Sequence, residues 1–209
     1  MLCEDGTIED IGKKGYVLDL KVDGSLGVVE RTQEGFKIYG RRGLTYTDIL
    51  PEITEQLSKI AMFFRIIGEI VYISKEGKMI FAGSQKRCQI SNRDKVEKYK
   101  KKYPVGIFVF DIVMLNGLDL TDVPYLARRK LLEYFYEMNT ILYNLTNIRL
   151  TPICVNPENH KQFFLNAVEN GYEGVIAKKL DGKYTEEKRS RAFLKIKVRD
   201  HTPFILHHP

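Results

Sequence analysis

Histidine and cysteine are scarce in this chain, and their scarcity narrows its chemistry first. Only His160, His201, His207 and His208 occur, three of them crowded at the C-terminal end, so a histidine metal site or a histidine-centred triad has little to draw on. Cys3, Cys88 and Cys154 are odd in number and widely scattered. With no close pair they make neither a zinc knuckle nor a redox motif, and reduced thiols fit a cytoplasmic protein. No apolar run approaches the ~20 residues of a membrane-spanning helix, and the start MLCED lacks the basic-then-apolar pattern of a signal peptide. Internal repeats, low-complexity tracts and flexible linkers are also missing. The expectation is a soluble protein without a membrane partner, in which carboxylates and lysines carry any catalysis.

What is present is ordinary globular composition. The 209 residues are 44% hydrophobic and 29% charged, enough to bury a real core in one large domain. The net charge of +6 favours an anionic partner, because phosphate neutralisation dominates nucleic-acid affinity, although a solvated lysine face accounts for it equally well.

The hydrophobic periodicity alternates between strand and helix. Residues 16–21, 26–31 and 36–39 read as an antiparallel meander broken at Gly24 and Gly35. Thr47 or Asp48 then caps a helix with Pro51 in its first turn, running through Ile53, Leu57 and Ile60. Residues 64–74, a turn at 75–78 and residues 79–82 have the signature of a hairpin. Ser91 or Asn92 opens a lysine-rich helix to about Tyr103, and residues 106–115 alternate as a buried strand does. Pro124 starts a helix with Leu126, Leu131, Leu132 and Phe135 on its buried side. Residues 148–155 form a strand, 157–170 a helix stopped by Gly171, and 174–180 and 193–198 two more strands. The fold class is α+β, with largely antiparallel sheets flanked by helices.

Charged residues interrupt apolar strands at four places: Gly68-Glu69, Phe110-Asp111, Glu173-Gly174 and Leu194-Lys195-Ile196-Lys197. A buried charge without a partner is costly, so each place calls for a ligand or an ion pair. A lysine followed by Asp-Gly, as in Lys21-Val22-Asp23-Gly24, is by itself more often a polar turn than a reactive site.

Taken in order, the motifs LKVDGS (20–25), YGRRG (39–43), IIGEIV (66–71), FAGSQKR (81–87), VFDIVMLNGLDLTDVPYLARRKLLE (109–133) and EGVIAKKLDGKYTEEKRSRAFLKIK (173–197) resemble the nucleotidyltransferase domain of ATP-dependent DNA ligases. That superfamily includes RNA ligases and mRNA capping enzymes, and the resemblance covers nearly the whole chain. It implies a ligase-type, ATP-grasp-like core in which Lys21 is the nucleophile that takes AMP from ATP. A lysine amine is protonated at neutral pH, with a reference pKa of about 10.4, and it attacks phosphorus only when cations or desolvation favour its neutral form. By the resemblance, Lys195 and Lys197 lie beside the α-phosphate and serve both that end and charge stabilisation in the transition state. Glu173, and with it Glu69, holds a divalent metal, Mg2+ or Mn2+. Glu69 also accepts hydrogen bonds from the ribose, Phe110 stacks on adenine, and Arg41 or its neighbour Arg42 meets the sugar or the nick phosphate. Asp23 orients the lysine or supports later steps, while a plain turn accounts for it as well.

The resemblance implies a catalytic core that seals nicked duplex DNA, with roles in DNA repair and replication. The alternatives are an RNA ligase of the same superfamily, or a non-catalytic nucleotide or nucleic-acid binding module. Two positions depart from the family: Leu26 stands where an arginine is frequent, and Asp19 replaces the glutamate that meets adenine and is one methylene shorter. The expected organisation is a nucleotidyltransferase domain over residues 1–198 and a tail over 199–209, too short for the OB fold that follows in the family. An OB-fold or DNA-binding partner acting in trans would then complete the enzyme.

Basic stretches have bland readings too. The five lysines between residues 95 and 102, interleaved with Tyr99, read first as a solvated helix face and second as a nucleic-acid contact. Arg128, Arg129 and Lys130 read as surface salt-bridge partners, whereas Lys178, Lys179, Lys188, Arg189 and Arg191 favour nick or phosphate contacts.

Overall fold

The computed structural model describes residues 2–74, 80–186 and 189–197. In chain order these form β1 (Leu2–Asp5), β2 (Tyr16–Lys21), β3 (Ser25–Thr32), β4 (Gly35–Tyr39), α1 (Pro51–Leu57), β5 (Phe64–Tyr72), α2 (Phe81–Cys88) and α3 (Val96–Lys102). They continue with β6 (Val105–Leu115), β7 (Leu118–Asp119), α4 (Tyr125–Tyr143), β8 (Ile148–Leu150), β9 (Ile153–Cys154), α5 (His160–Glu169), β10 (Gly174–Lys179) and β11 (Arg189–Lys197). Two compact units divide the chain: residues up to 22, 121–127 and from 151 onward, and residues 23–120 with 128–150.

The first unit is built on a sheet of order β1-β11-β10-β2-β9. Its pairings are antiparallel except that of β1 with β11. Side chains alternate across a strand, so residues two apart share a face. One face carries Leu18, Leu20, Val175, Ala177, Leu194 and Ile196, which pack with Phe164 and Ala167 of α5. Full burial of each large apolar side chain contributes ~1.5–3 kcal/mol, so this face anchors the sheet. The opposite face is only partly apolar, with Val17, Tyr125 and Phe193 at its centre.

At the start of α5, the buried ring of His160 ties the N-terminal turn to the sheet. Its Nδ1 accepts from the Gly12 amide at 3.3 Å while Nε2 faces the Cys154 carbonyl at 3.0 Å, which defines a neutral ring with the proton on Nε2. Burial pushes its pKa below the ordinary 6.5, against the opposing pull of the Cys154 carbonyl. An unfolded chain therefore takes up this proton more readily than the folded one, and the stability contribution, complete above pH 6.5, is lost as pH falls through the folded value. Replacing His160 by Gln is expected to flatten the loss of thermal stability between neutral and mildly acidic pH. Parallel melting curves for wild type and variant across that range would count against the assignment.

The second unit holds a sheet of order β4-β3-β5-β6-β7, with β8 beside β6. β5 is paired on one edge by β6 and on the other by β3 only as far as Ile70, and beyond that point the Tyr72 carbonyl accepts from the Ile80 amide at 3.0 Å. Of the expected return strand at residues 79–82, Met79 lies outside the described residues and Ile80 keeps that one bond to β5. Phe81 and Ala82 begin α2, and the turn at 75–78 lies outside the described residues. Helix α2 packs so closely on β5 that a Cβ on Gly83 would collide with the Tyr72 ring. The start of α1 also differs from expectation. Leu50 is its N-cap, with no side-chain cap bond, because Thr47 is engaged through its hydroxyl with Ile38 and Asp48 is paired with Arg93. Asn92 does cap the turn before α3, accepting from the Asp94 amide.

The Arg128 expectation is corrected most firmly. Arg128 is not a surface residue: it is fully buried and makes a bidentate pair with Asp111, Nε to Oδ1 and Nη2 to Oδ2, both at 2.9 Å. Arg129 is nearly buried as well and meets Glu133 at 2.8 Å, leaving Lys130 as the exposed member of the three. Helical spacing puts Arg128, Leu132 and Phe135 on one buried face of α4. Asp111 lies inside β6 rather than at its end, so the sequence charge there is structural. A second buried pair, Arg87 with Glu52 at 2.8 Å, joins α2 to α1.

Candidate active site

The mixed face of the first sheet gathers the ionisable side chains. Register makes cross-strand rows: Lys21 opposite Gly174 opposite Lys197, and Asp19 opposite Ile176 opposite Lys195. The spacing of two residues in Asp19-x-Lys21, Ile176-x-Lys178 and Lys195-x-Lys197 is what sends these side chains to the same side. Gly174 occupies the middle of the first row with φ +145°, and a Cβ there would run into the Ile196 carbonyl. Glycine at this point lets β10 approach β11 and leaves the space between Lys21 and Lys197 free of a side chain.

Glu173 stands immediately before that glycine. Its Oε2 accepts a hydrogen bond from Lys21 Nζ, and its Oε1 lies 3.6 Å from Lys197 Nζ. Lys21, Glu173 and Lys197 are all half-buried. Lys195 Nζ reaches Asp5 Oδ1 on β1 at 3.0 Å, and the Lys195 ammonium holds the Asp5 carboxyl below its usual range. Asp5 escapes sequence reasoning, since nothing in its local sequence marks it and only the parallel pairing of β1 with β11 brings it there. The face thus brings together Lys21 and Lys197 around the Glu173 carboxylate, with Lys195 on the same side held to Asp5. Such a surface suits a polyphosphate.

Asp19 and Lys178 depart from expectation. Asp19 is 1% exposed, and its Oδ2 accepts from Lys178 Nζ at 2.5 Å and from the Tyr125 hydroxyl at 3.3 Å. Lys178, expected among the phosphate contacts, is buried with its ammonium 4.7 Å from the Tyr125 ring centroid. The shorter aspartate is drawn into this buried pair because desolvating either charge alone would be costly. The Cys3 thiol shares this face: burial pushes it above its usual 9.0, although Lys178, Lys21 and Lys195 pull it down. Of the other basic residues, Lys179 pairs with Asp181 and Arg191 with Glu4, both at exposed positions. Arg189 is exposed, and Lys188 lies outside the described residues.

The second unit carries the remaining candidates. Glu69 lies on β5 opposite Leu26 and Phe108, half-buried. Gly24 is forced to be glycine here, since a Cβ would strike the Ile70 carbonyl and come within 3.0 Å of Glu69 Cγ. Phe110 has a special place in β6. Ile67 pairs with Asp111 and Gly68 with Val109, so Phe110 is the extra residue of a β-bulge. Bulges re-aim a side chain away from strict alternation, which the sequence pattern alone does not reveal. Asp23 is exposed, just beyond β2, and Arg41 is exposed in the short turn at Arg41–Gly43. The Arg42 side chain lies outside the described atoms. Among the described residues no group of three His, Cys, Asp or Glu side chains could hold a metal ion.

Residues 1–197 match the family described as ATP dependent DNA ligase domain. DNA ligase 1 of Methanosarcina mazei is 34% identical over 195 residues, which span 89% of this chain and 33% of that protein. The DNA ligase of Acidianus ambivalens is 32% identical over 196 residues, 91% of this chain and 32% of that one. A solved mycobacterial DNA ligase D complexed with ATP and MES superposes with a TM-score of 0.72 at 26% identity, covering 94% of this chain and 59% of that one. The chain thus spans about a third of the length of the curated relatives it matches.

Proposed function

The chain belongs to the ATP dependent DNA ligase domain family, and we propose that it is the part of such an enzyme that takes AMP from ATP onto Lys21 and passes it to a 5′-phosphate at a nick in duplex DNA. The observation that carries this reading is the row in which Lys21 meets Glu173 and Lys197, with Lys195 beside it. In the first step Lys21 Nζ attacks the α-phosphorus of ATP, a P–N bond forms, the P–O bond to the β-phosphate breaks and pyrophosphate leaves. In the second, a 5′-phosphate oxygen attacks the same phosphorus and Lys21 is released. A 3′-hydroxyl then attacks the activated 5′-phosphate, and AMP departs as the strand is sealed. Each step is phosphoryl transfer, in which placement and charge stabilisation do most of the work.

Within that scheme the chain's own residues have separate tasks. Glu173 accepts from the Lys21 amine and orients it. Lys195 and Lys197 offset charge on the α-phosphate oxygens as it develops, and Asp5 holds Lys195 in place. Glu69 takes the ribose hydroxyls, Phe110 stacks on adenine, and Arg41 meets sugar or phosphate. Asp19 acts through its pair with Lys178 rather than on the base, since both of its oxygens are buried. A carboxylate on a phosphate-binding face suits Mg2+, which keeps several waters and needs only one or two protein oxygens beside the substrate phosphates. Glu173 would hold it, and a bound divalent ion would supply further charge neutralisation at the phosphates.

Intact-mass measurement after incubation with ATP and Mg2+ tests the first step, and transfer from the loaded protein to nicked DNA or nicked RNA duplexes tests the substrate. An AMP adduct that is chased by nicked DNA is expected. Lys197→Ala should slow adduct formation by ~10²–10³-fold, the usual cost of removing one transition-state donor. Absence of any adduct on wild-type protein, even with the remainder of a ligase supplied, would refute the catalytic reading, and sealing of RNA alone would refute the DNA assignment.

A further inference from the structure

In the second unit, lysines from two different helices converge on one tyrosine. Lys86 of α2 places Nζ 5.2 Å from the ring centroid of Tyr103 and 3.4 Å from its hydroxyl. Lys102, the last residue of α3, places Nζ 5.3 Å from the same centroid. The ring is braced: Tyr72, at the end of β5, meets it edge-on at 5.5 Å, and Tyr99 lies at 6.0 Å. The backbone amide of Tyr103 closes α3 by donating to the Tyr99 carbonyl at 2.7 Å. Three elements, β5, α2 and α3, thereby fix one aromatic ring with ammonium groups around it.

No carboxylate among the described residues pairs with Lys86 or Lys102. Among the described residues, Lys100 is the lysine of α3 that reaches an acid, Glu55 at 3.7 Å, whereas Lys86, Lys98, Lys101 and Lys102 are exposed without such a partner. The Lys86 ammonium, with Lys102 behind it, holds the Tyr103 phenol below its usual range, a local sign of the positive potential. Long side chains already restrained on a ring lose less freedom when they meet an anion. A merely solvated helix face would not draw a cation from a neighbouring helix onto the same ring.

We infer that Lys86, Lys102 and Tyr103, with Lys98 and Lys101 beside them, form a docking surface for the phosphodiester backbone of duplex DNA. It rests on the reading that nicked DNA is the substrate. The chain's net charge of +6 and the dense, regular charge of a duplex are complementary, and such a surface holds the backbone without reading sequence.

The test is fluorescence anisotropy of a labelled nicked duplex across a salt series, alongside lysyl-AMP formation by intact mass. Lys86→Ala/Lys102→Ala should form lysyl-AMP at the wild-type rate yet bind DNA about tenfold more weakly, with the slope of log affinity against log salt smaller by ~2, about 0.9 for each phosphate that is no longer neutralised. The Lys86→Arg/Lys102→Arg variant should retain both affinity and slope. Unchanged affinity and slope in the alanine variant would overturn the surface. Equal loss of binding to polyglutamate, at comparable affinity, would overturn its assignment to nucleic acid. Wild type that shows the expected DNA-binding losses on mutation but never forms lysyl-AMP would support the surface and sink the catalytic reading.

Discussion

Lys21→Ala and Lys21→Arg are both expected to abolish AMP adduct formation, a drop on the order of 10³-fold or more, the scale on which loss of a nucleophile is felt. The two variants fail for different reasons. Alanine removes the amine; arginine keeps a positive charge for Glu173 but stays protonated and has no free lone pair for phosphorus. Because Lys21 is half-buried at a strand end and its charge is retained in the arginine variant, that protein should fold and bind ATP. The measurement is intact mass after incubation with ATP and Mg2+, followed by peptide mapping. Lys195 and Lys197 share the face, so an adduct of undiminished yield in Lys21→Arg would identify one of them as the carrier.

The second large effect is on stability. Arg128→Met should destabilise the protein by ~3–5 kcal/mol, because it leaves the Asp111 carboxylate buried without its bidentate partner. That is a large part of the ~5–15 kcal/mol that holds a typical domain folded. Urea unfolding of the variant should show a lowered midpoint, or no cooperative transition at all. The Asp111→Leu/Arg128→Met double variant should recover most of the loss, since an apolar pair of similar volume needs no desolvation of charge. A single variant within ~0.5 kcal/mol of wild type, the range of ordinary surface substitutions, would mean that Asp111 is not held as a buried ion.

These two residues mark how far the sequence can be read. Lys21 is legible because its motif belongs to an ordered set, with Glu69, Phe110, Glu173, Lys195 and Lys197 at compatible spacings. Strand β2 falls at Tyr16–Lys21 as expected, but it pairs with β10 and β9 rather than with β3, so the expected meander is reduced to β3 with β4, while β6 is the buried strand expected from its apolar run. Arg128 misleads because a charged triplet near a helix start resembles a solvated surface, and its partner Asp111 lies 17 residues away on a strand. The hairpin after β5 is legible only in part. Ile80 returns one backbone bond to Tyr72, but Phe81 and Ala82, strand-like in composition, begin α2, and propensity yields to tertiary context. The bulge at Phe110 leaves no mark in the alternation around it.

The sequence by itself determined the family, the α+β class and which ionisable residues share a face. Asp19 and Lys21, Lys195 and Lys197 are two apart on strands, and a strand's period of two is local geometry. Only the tertiary structure decided the partners: Glu173 for Lys21 across 152 residues, Lys178 for Asp19 across 159, and Asp5 for Lys195 across the parallel pairing of β1 with β11. It also drew Asp19 into a buried pair and moved Arg128 from surface to core. The physical reason is that a charge's cost depends on what it is buried against, and that is set by register between strands far apart in the chain.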